Sequence, residues 1–244
     1  MSILDKIQFH PSPNHNERMG GPADMLLLHY TGMETGEGAL ERLCDPAAQV
    51  SAHYLVFEDG RVVSMVEEER RAWHAGVASW AGETDINSLS VGIEIVNPGH
   101  ELGYPDFPDT QIKAVTALAG DIVRRHEISA ARVLAHSDVA PGRKADPGEK
   151  FPWDLLAGAG VGHWVLPVEP MEGPVLNLGD RGDQVAELQF QLADYGYDIA
   201  VDGWFGDVTA QVVTAFQRHF RPAQVDGAAD LSTVGTLRLL RDAR

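Results

Sequence analysis

Three side chains in this sequence, His29, His136 and Asp146, are of types that bind a divalent metal and lie where such sites are commonly built. His29 closes the apolar run MLLLH and His136 closes VLAH, so both are expected at strand ends. Asp146 stands in the loop HSDVAPGRKADPG that follows. Two imidazoles and one carboxylate leave a fourth position open on a tetrahedral zinc ion, the arrangement that hydrolytic zinc sites use. Such an ion lowers the pKa of water from about 15.7 toward ~7, which makes hydroxide available at neutral pH. Spacing alone is weak evidence, because the chain has 10 histidines and any two are more often solvent-facing or hydrogen-bonded in a core than ligands. The loop tips the balance: its prolines and glycines fix an irregular backbone around Arg143, Lys144 and Asp146, a definition that a loop without function has little use for.

The elements that must position these groups read as follows. Met25 to Leu28 form a short apolar run, as in a strand buried on both faces. A helix is expected over 38–44, and strands over 53–58 and 61–66 flank Asp59-Gly60, a two-residue hairpin signal. In the strand 91–96, Val91, Ile93 and Ile95 share one face and Glu94 points from the other. Ile112, Val115, Leu118, Ala119, Ile122 and Val123 recur at helical spacing over 110–126, and 132–135 is a short strand. Residues 1–24 are polar and rich in Pro, Asn and Gly, hence an irregular lead-in. Strands interleaved with helices predict an α/β fold with a mixed central β-sheet flanked by helices. Residues 158–173 read as a linker. A small all-α three-helix domain follows, with helices over 184–195, 207–218 and 232–240 punctuated by Asp202-Gly203 and Asp226-Gly227. The predicted units are thus 1–157, the linker 158–173, and 174–244.

Composition is that of an ordinary globular protein, with 44% hydrophobic and 23% charged residues. The net charge is −17, and both units are acidic: 25 acidic and 13 basic residues precede Pro170, and 11 and 6 follow from it. Only four lysines occur, so no basic stripe exists to neutralise phosphates and nucleic acid is excluded as a partner. Cys44 is the single cysteine, which rules out an internal disulfide and a Cys-rich zinc site, and it reads as a buried small residue. No apolar run reaches the length of a signal peptide or a membrane span. That predicts no membrane insertion and a cytoplasmic location, or a periplasmic one through an unrecognised export route.

Four segments, LLLHYTG, AWHAG at 72–76, SVGIEIVN at 90–97 and HSDVAPGRKADPG, together resemble the zinc amidase family that cleaves N-acetylmuramoyl-L-alanine bonds, over roughly residues 20–157. The resemblance implies one zinc per chain on His29, His136 and Asp146, with Lys144 beside the metal as transition-state stabiliser and Glu94 as general base. Without it, Glu94 reads as a solvated residue on a half-exposed strand. Phage and animal members carry a tyrosine just before the histidine that aligns with His53; here Ala52 stands there and Tyr54 falls on the other strand face. Asp146 replaces the phage-type cysteine ligand. The chain therefore looks more like the bacterial wall-recycling branch. On the substrate side, Arg143 either recognises a stem-peptide carboxylate or is a surface charge. His74 either lines the cleft or packs beside Trp80. Tyr30, next to His29, is a further substrate-side candidate. Asn97, like Asn87, either bonds within the site or holds a loop, the loop being favoured. His53 reads as structural. Residues 174–240 resemble the three-helix peptidoglycan-binding domain often joined to wall hydrolases, which implies peptidoglycan fragments or muropeptides as partners and no protein partner. Two rivals stand beside hydrolysis of muramoyl-L-alanine amides: a non-catalytic wall-binding or sensing protein, and a zinc hydrolase acting on another peptide.

Overall fold

The structure is a computed structural model that describes residues 7–244; residues 1–6, the start of the expected lead-in, lie outside them. Six strands, β1 (Gln8–Phe9), β3 (Met25–Tyr30), β4 (Tyr54–Val56), β5 (Val62–Ser64), β7 (Ser90–Ile95) and β8 (Val133–Ala135), form one sheet in the order β1-β5-β4-β7-β3-β8. Only β4 and β5 run antiparallel, across the Asp59-Gly60 hairpin; every other pair is parallel. The lead-in is more ordered than its composition suggests. β1 extends the sheet edge, and β2 (His15–Glu17) pairs antiparallel with β6 (Arg70–Ala72). From its end Arg18 reaches inward, its Nη atoms donating to the carbonyls of Glu68, Arg70, Ser88 and Ser90.

The central strands are mostly apolar because both faces are covered. Leu26, Leu28, Val91, Ile93, Ile95, Val133 and Ala135 face one way and pack under the Ile112, Val115, Leu118, Ala119 and Ile122 stripe of α3 (Asp109–His126). On the opposite face, α1 (Gly36–Cys44) lays Leu40 and Leu43 against Leu55, Val63 and Val96. Cys44 ends that helix half-buried rather than buried. Met25, Leu27 and Leu134 belong to this second face too, and they join a cluster that continues into the C-terminal helices. Two short helical turns, α2 (Ile86–Leu89) and α4 (His136–Val139), precede β7 and follow β8, and α5 (Trp153–Gly158) closes this part of the chain. His136 thus opens a helical turn, where the sequence predicts an irregular loop.

The three C-terminal helices are α6 (Asp183–Tyr195), α7 (Asp207–Phe220) and α8 (Leu231–Asp242). They contain a repeat that the helical periodicity conceals. Gln189 accepts from the backbone amides of Asp202 and Gly203 and donates to Thr209; Gln217 does the same for Asp226, Gly227 and Thr233. One buried glutamine per Asp-Gly turn therefore satisfies amides that have no helix or strand partner. Residues 161–173 are no free tether. Val161 is buried, Trp164 touches both apolar clusters, and Val168 bonds Ser232 and Thr236. Among the described residues no helix is long and apolar enough to cross a membrane.

Candidate metal centre

Parallel register creates the site. β3 and β7 pair His29 with Glu94, and residues in register on adjacent strands project to the same face. β8 pairs with β3 through Leu28 and Ala135, so His136 emerges next to His29. The loop after α4 then returns Asp146, tied by the Ser137 amide donating to the Asp146 carbonyl at 3.0 Å. His29 Nδ1, His136 Nδ1 and Asp146 Oδ2 converge, 2.8 Å between the two nitrogens and 3.0 Å from each to the oxygen. All three residues are buried.

The outer bonds decide which lone pairs point inward. His136 Nε2 lies 2.9 Å from the Ala75 carbonyl, which only an Nε2–H can satisfy, leaving Nδ1 as the acceptor. His29 Nε2 lies 3.0 Å from His74 Nδ1; His74 Nε2 in turn faces Ser90 Oγ at 3.4 Å, and Ser90 donates to the Ile86 carbonyl at 2.6 Å. Read outward, each donor in this chain meets an acceptor, and His29 Nδ1 is left with its lone pair toward the cluster. Two imidazole lone pairs and a carboxylate oxygen crowded together lack enough protons to bind one another, whereas a divalent cation satisfies all three. Burial, then the neighbouring His136, pushes the His29 pKa down to about 4, and burial takes His74 well below its ordinary value, so both rings are neutral donors at physiological pH.

A cleft of about 340 Å³ opens over this cluster, lined by Tyr30, His74, Glu94, His136, Lys144 and Asp146 together with residues of the β3–α1 connection and α1. Glu94 is half-buried as a residue, yet its Oε2 is fully sheltered and has no hydrogen-bond partner among the described residues. Burial, with the Asp146 charge adding and Lys144 opposing, raises its pKa well above the ordinary glutamate value. A carboxylate so placed is primed to accept a proton. Lys144 is exposed at the rim, its ammonium free to meet developing negative charge.

Other candidates fall elsewhere. Asn97 is buried, donates to the Pro105 carbonyl and accepts from the Gly99 amide, so it holds a loop and leaves the substrate-side set. Asn87 likewise caps the His74 and Ala75 amides. Arg143 turns away from the cleft: its Nη2 donates to the carbonyls of Ala75 and Val77 at 2.6 Å each, stapling that loop to the ligand loop. This stapling stands beside the carboxylate-binding and surface-charge readings of Arg143. Tyr30 stays at the cleft wall with its hydroxyl 3.0 Å from His100 Nδ1. His74 lines the cleft, while the Trp80 ring packs against Tyr195 and Tyr197. His53 is structural, bonded to Gly92 and Arg18; Tyr54 sits with the α3 cluster. The hydrogen-bond service of His74 to His29 was not legible from the AWHAG segment. Its signal is Gly92, a glycine between the β-branched Val91 and Ile93 inside a strand, which marks a close approach.

Comparison with known proteins matches the chain in two segments. A family profile described as N-acetylmuramoyl-L-alanine amidase matches residues 19–149, and one described as a peptidoglycan binding domain matches residues 181–237. The N-acetylmuramoyl-L-alanine amidase AmiD of Escherichia coli (strain K12) is 37% identical over 225 residues, covering 86% of this chain and 79% of that protein. Its solved complex with anhydro-N-acetylmuramic acid-L-Ala-D-gamma-Glu-L-Lys matches with a TM-score of 0.78 and 34% identity, over 93% of this chain and 92% of that one. AmpDh3 from Pseudomonas aeruginosa, solved with anhydromuramic pentapeptide, matches with a TM-score of 0.76 and 32% identity, over 92% and 93%. The 1,6-anhydro-N-acetylmuramyl-L-alanine amidase AmpD of Citrobacter freundii is 40% identical over 164 residues, 59% of this chain and 84% of that protein.

Proposed function

Because the chain belongs to the N-acetylmuramoyl-L-alanine amidase family, we infer that it hydrolyses the amide between N-acetylmuramic or 1,6-anhydro-N-acetylmuramic acid and L-alanine in wall-derived muropeptides, with one zinc ion held by His29, His136 and Asp146. The observation that carries this reading is the convergence of three inward-facing lone pairs within 3.0 Å of one another at the floor of a cleft that also holds Glu94 and Lys144. Zinc, when bound, supplies Lewis acidity for the lactyl carbonyl and acidifies the attacking water.

The chain's own residues do the rest. The Ala75 carbonyl and His74 keep both imidazoles in the tautomer that can ligate. Glu94 takes the proton of the attacking water and returns it to the leaving amine of L-alanine, a role its sheltered, unpartnered Oε2 suits. Lys144 offsets the oxyanion, an effect on the order of 2.7–4 kcal/mol per donor in hydrolytic sites. Tyr30 and His74 form cleft wall against which the substrate lies. Residues 1–157 act as the catalytic unit and 174–244 as a wall-binding unit; carrying both in one chain raises local substrate concentration. A binding-only protein would have no use for a complete ligand set beside a primed carboxylate.

Digestion of defined intact and anhydro muropeptides, followed by mass spectrometry with and without a chelator, tests the reading. Release of a peptide with a free L-alanine amine, lost on chelation, is expected. Cleavage at any other bond would identify a hydrolase of the same site type with a different substrate.

A further inference from the structure

On a helical turn, residues two apart point to opposite sides, so Asp138 faces away from His136 across α4. Asp138 is fully buried, and its carboxylate is held by donors from two distant parts of the chain. Oδ2 accepts from the Ala135 amide at 2.8 Å and from His219 Nδ1 at 2.6 Å; Oδ1 accepts from the Tyr197 hydroxyl at 2.7 Å. His219 lies on α7 and Tyr197 just beyond α6, so two of the three donors belong to the C-terminal helices. The His219 ring lies against Trp153, centroids 3.7 Å apart, and its Nε2 is buried without a partner among the described residues; Asp138 is where the polar capacity of this ring is spent. Tyr197 is equally buried and meets Trp80 edge-on.

Without those two donors Asp138 would be a buried charge facing one amide, which interiors tolerate poorly. The amide it holds, Ala135 N, is where β8 turns into α4, one residue before a metal ligand. The next residue, Ser137, ties the backbone of Asp146. The direction of His136 and the placement of Asp146 therefore both follow from how this one turn is fixed.

We propose that Asp138 is a positioning residue of the metal centre, held in place by His219 and Tyr197, so that the C-terminal helical unit completes the metal site in addition to any contact it makes with the wall. The proposal rests on the metal reading above. It differs from simple docking of two units, because docking affects stability alone while positioning also affects how tightly the ion is held.

The test is zinc affinity of the full chain, by competition with a chromophoric chelator well below the melting temperature, together with the visible spectrum of the cobalt-loaded protein. His219→Leu is expected to weaken zinc about tenfold or more and to shift the cobalt bands. His219→Asn, which keeps an N–H toward Asp138, is expected to recover most of that loss. Tyr197→Phe removes a single donor and is expected to weaken zinc about threefold; it keeps the test open should His219→Leu not fold. Wild-type affinity and cobalt spectrum in Tyr197→Phe and in a folded His219→Leu, with only the melting temperature lowered, overturn the proposal. A wild-type chain that binds no zinc overturns instead the metal reading beneath it.

Discussion

Gly92→Ala isolates the contact between His74 and the ligand His29. Gly92 lies in the middle of β7, between β3 and β4, where an alanine meets no backbone strain. The strand cannot yield: Gly92 pairs with Leu27, its amide donates to His53 Nδ1 at 2.9 Å, and its carbonyl accepts from the His53 amide at 3.1 Å. A Cβ there would stand 2.6 Å from His74 Cγ and Nδ1, where ordinary contact begins at 3.4 Å, so the ring must retreat by about 0.8 Å. The 3.0 Å contact with His29 Nε2 then opens to roughly 3.8 Å if the retreat follows the bond, beyond hydrogen-bonding range. Losing that bond costs about 1 kcal/mol and overpacking about 1–3 kcal/mol more. Together these lower the melting temperature by roughly 5–15 °C. Freed from its partner, the His29 ring can turn, and zinc affinity is expected to fall tenfold or more. Thermal denaturation of the metal-free and zinc-loaded forms, with a chelator competition titration, reads both effects. Reduced stability with wild-type zinc affinity would detach His74 from the metal centre, and no change in either would refute the steric reasoning outright.

Glu94→Ala is expected to keep one zinc per chain yet lose about 10²–10⁴ in kcat, as metal analysis and turnover on a muropeptide would read; full activity removes Glu94 from the mechanism. Lys144→Ala should lower kcat by about 10²–10³ with zinc affinity unchanged, and a parallel loss of metal would place Lys144 in a structural role instead. Glu68 is a pH-dependent stabiliser: burial would raise its carboxyl, but its bonds to Arg125, Tyr54 and His126 take the pKa down to about 2. A depressed folded pKa means that this stabilisation is present above the unfolded value of 4.5 and is lost as pH falls from there toward 2. Urea midpoints across that window should drop less steeply in Glu68→Gln than in the wild type; equal slopes would contradict the assignment. Gln217→Ala strips the acceptor from two turn amides and should cost about 1–3 kcal/mol for each amide that water cannot reach, read as a shift in urea midpoint.

What was legible in the sequence was local. The apolar run at Met25 to Leu28, the stripe from Ile112 to Val123 and the Asp59-Gly60 turn each state their own conformation, and the structure gives each as a strand, a helix and a hairpin. His136, Asp146, Glu94 and Lys144 line one cleft, and His29 joins His136 and Asp146 in the cluster beneath it, because strand ends and a stiff loop are short-range features that fix direction. The misses needed partners far along the chain. Arg18 looks like any solvated arginine in a polar lead-in until five backbone carbonyls and His53 gather around its guanidinium. Asp138 and His219 are 81 residues apart, and nothing local links them. The C-terminal repeat was readable in principle, but its glutamines lie 13 and 9 residues from their aspartates, so no fixed period exposes it. For Arg143 the sequence left two readings, a substrate carboxylate or a surface charge, and could not name the carbonyls of Ala75 and Val77 that it serves, because they come from another segment.

X-ray absorption at the zinc edge of the purified, zinc-loaded chain addresses the central claim without passing through turnover. One zinc per chain is predicted, with two imidazole nitrogens at about 2.0–2.1 Å, one carboxylate oxygen, and one further light-atom position that exchanges with solvent. A shell lacking two imidazoles, or one unchanged in the His29→Ala and His136→Ala variants, would contradict it.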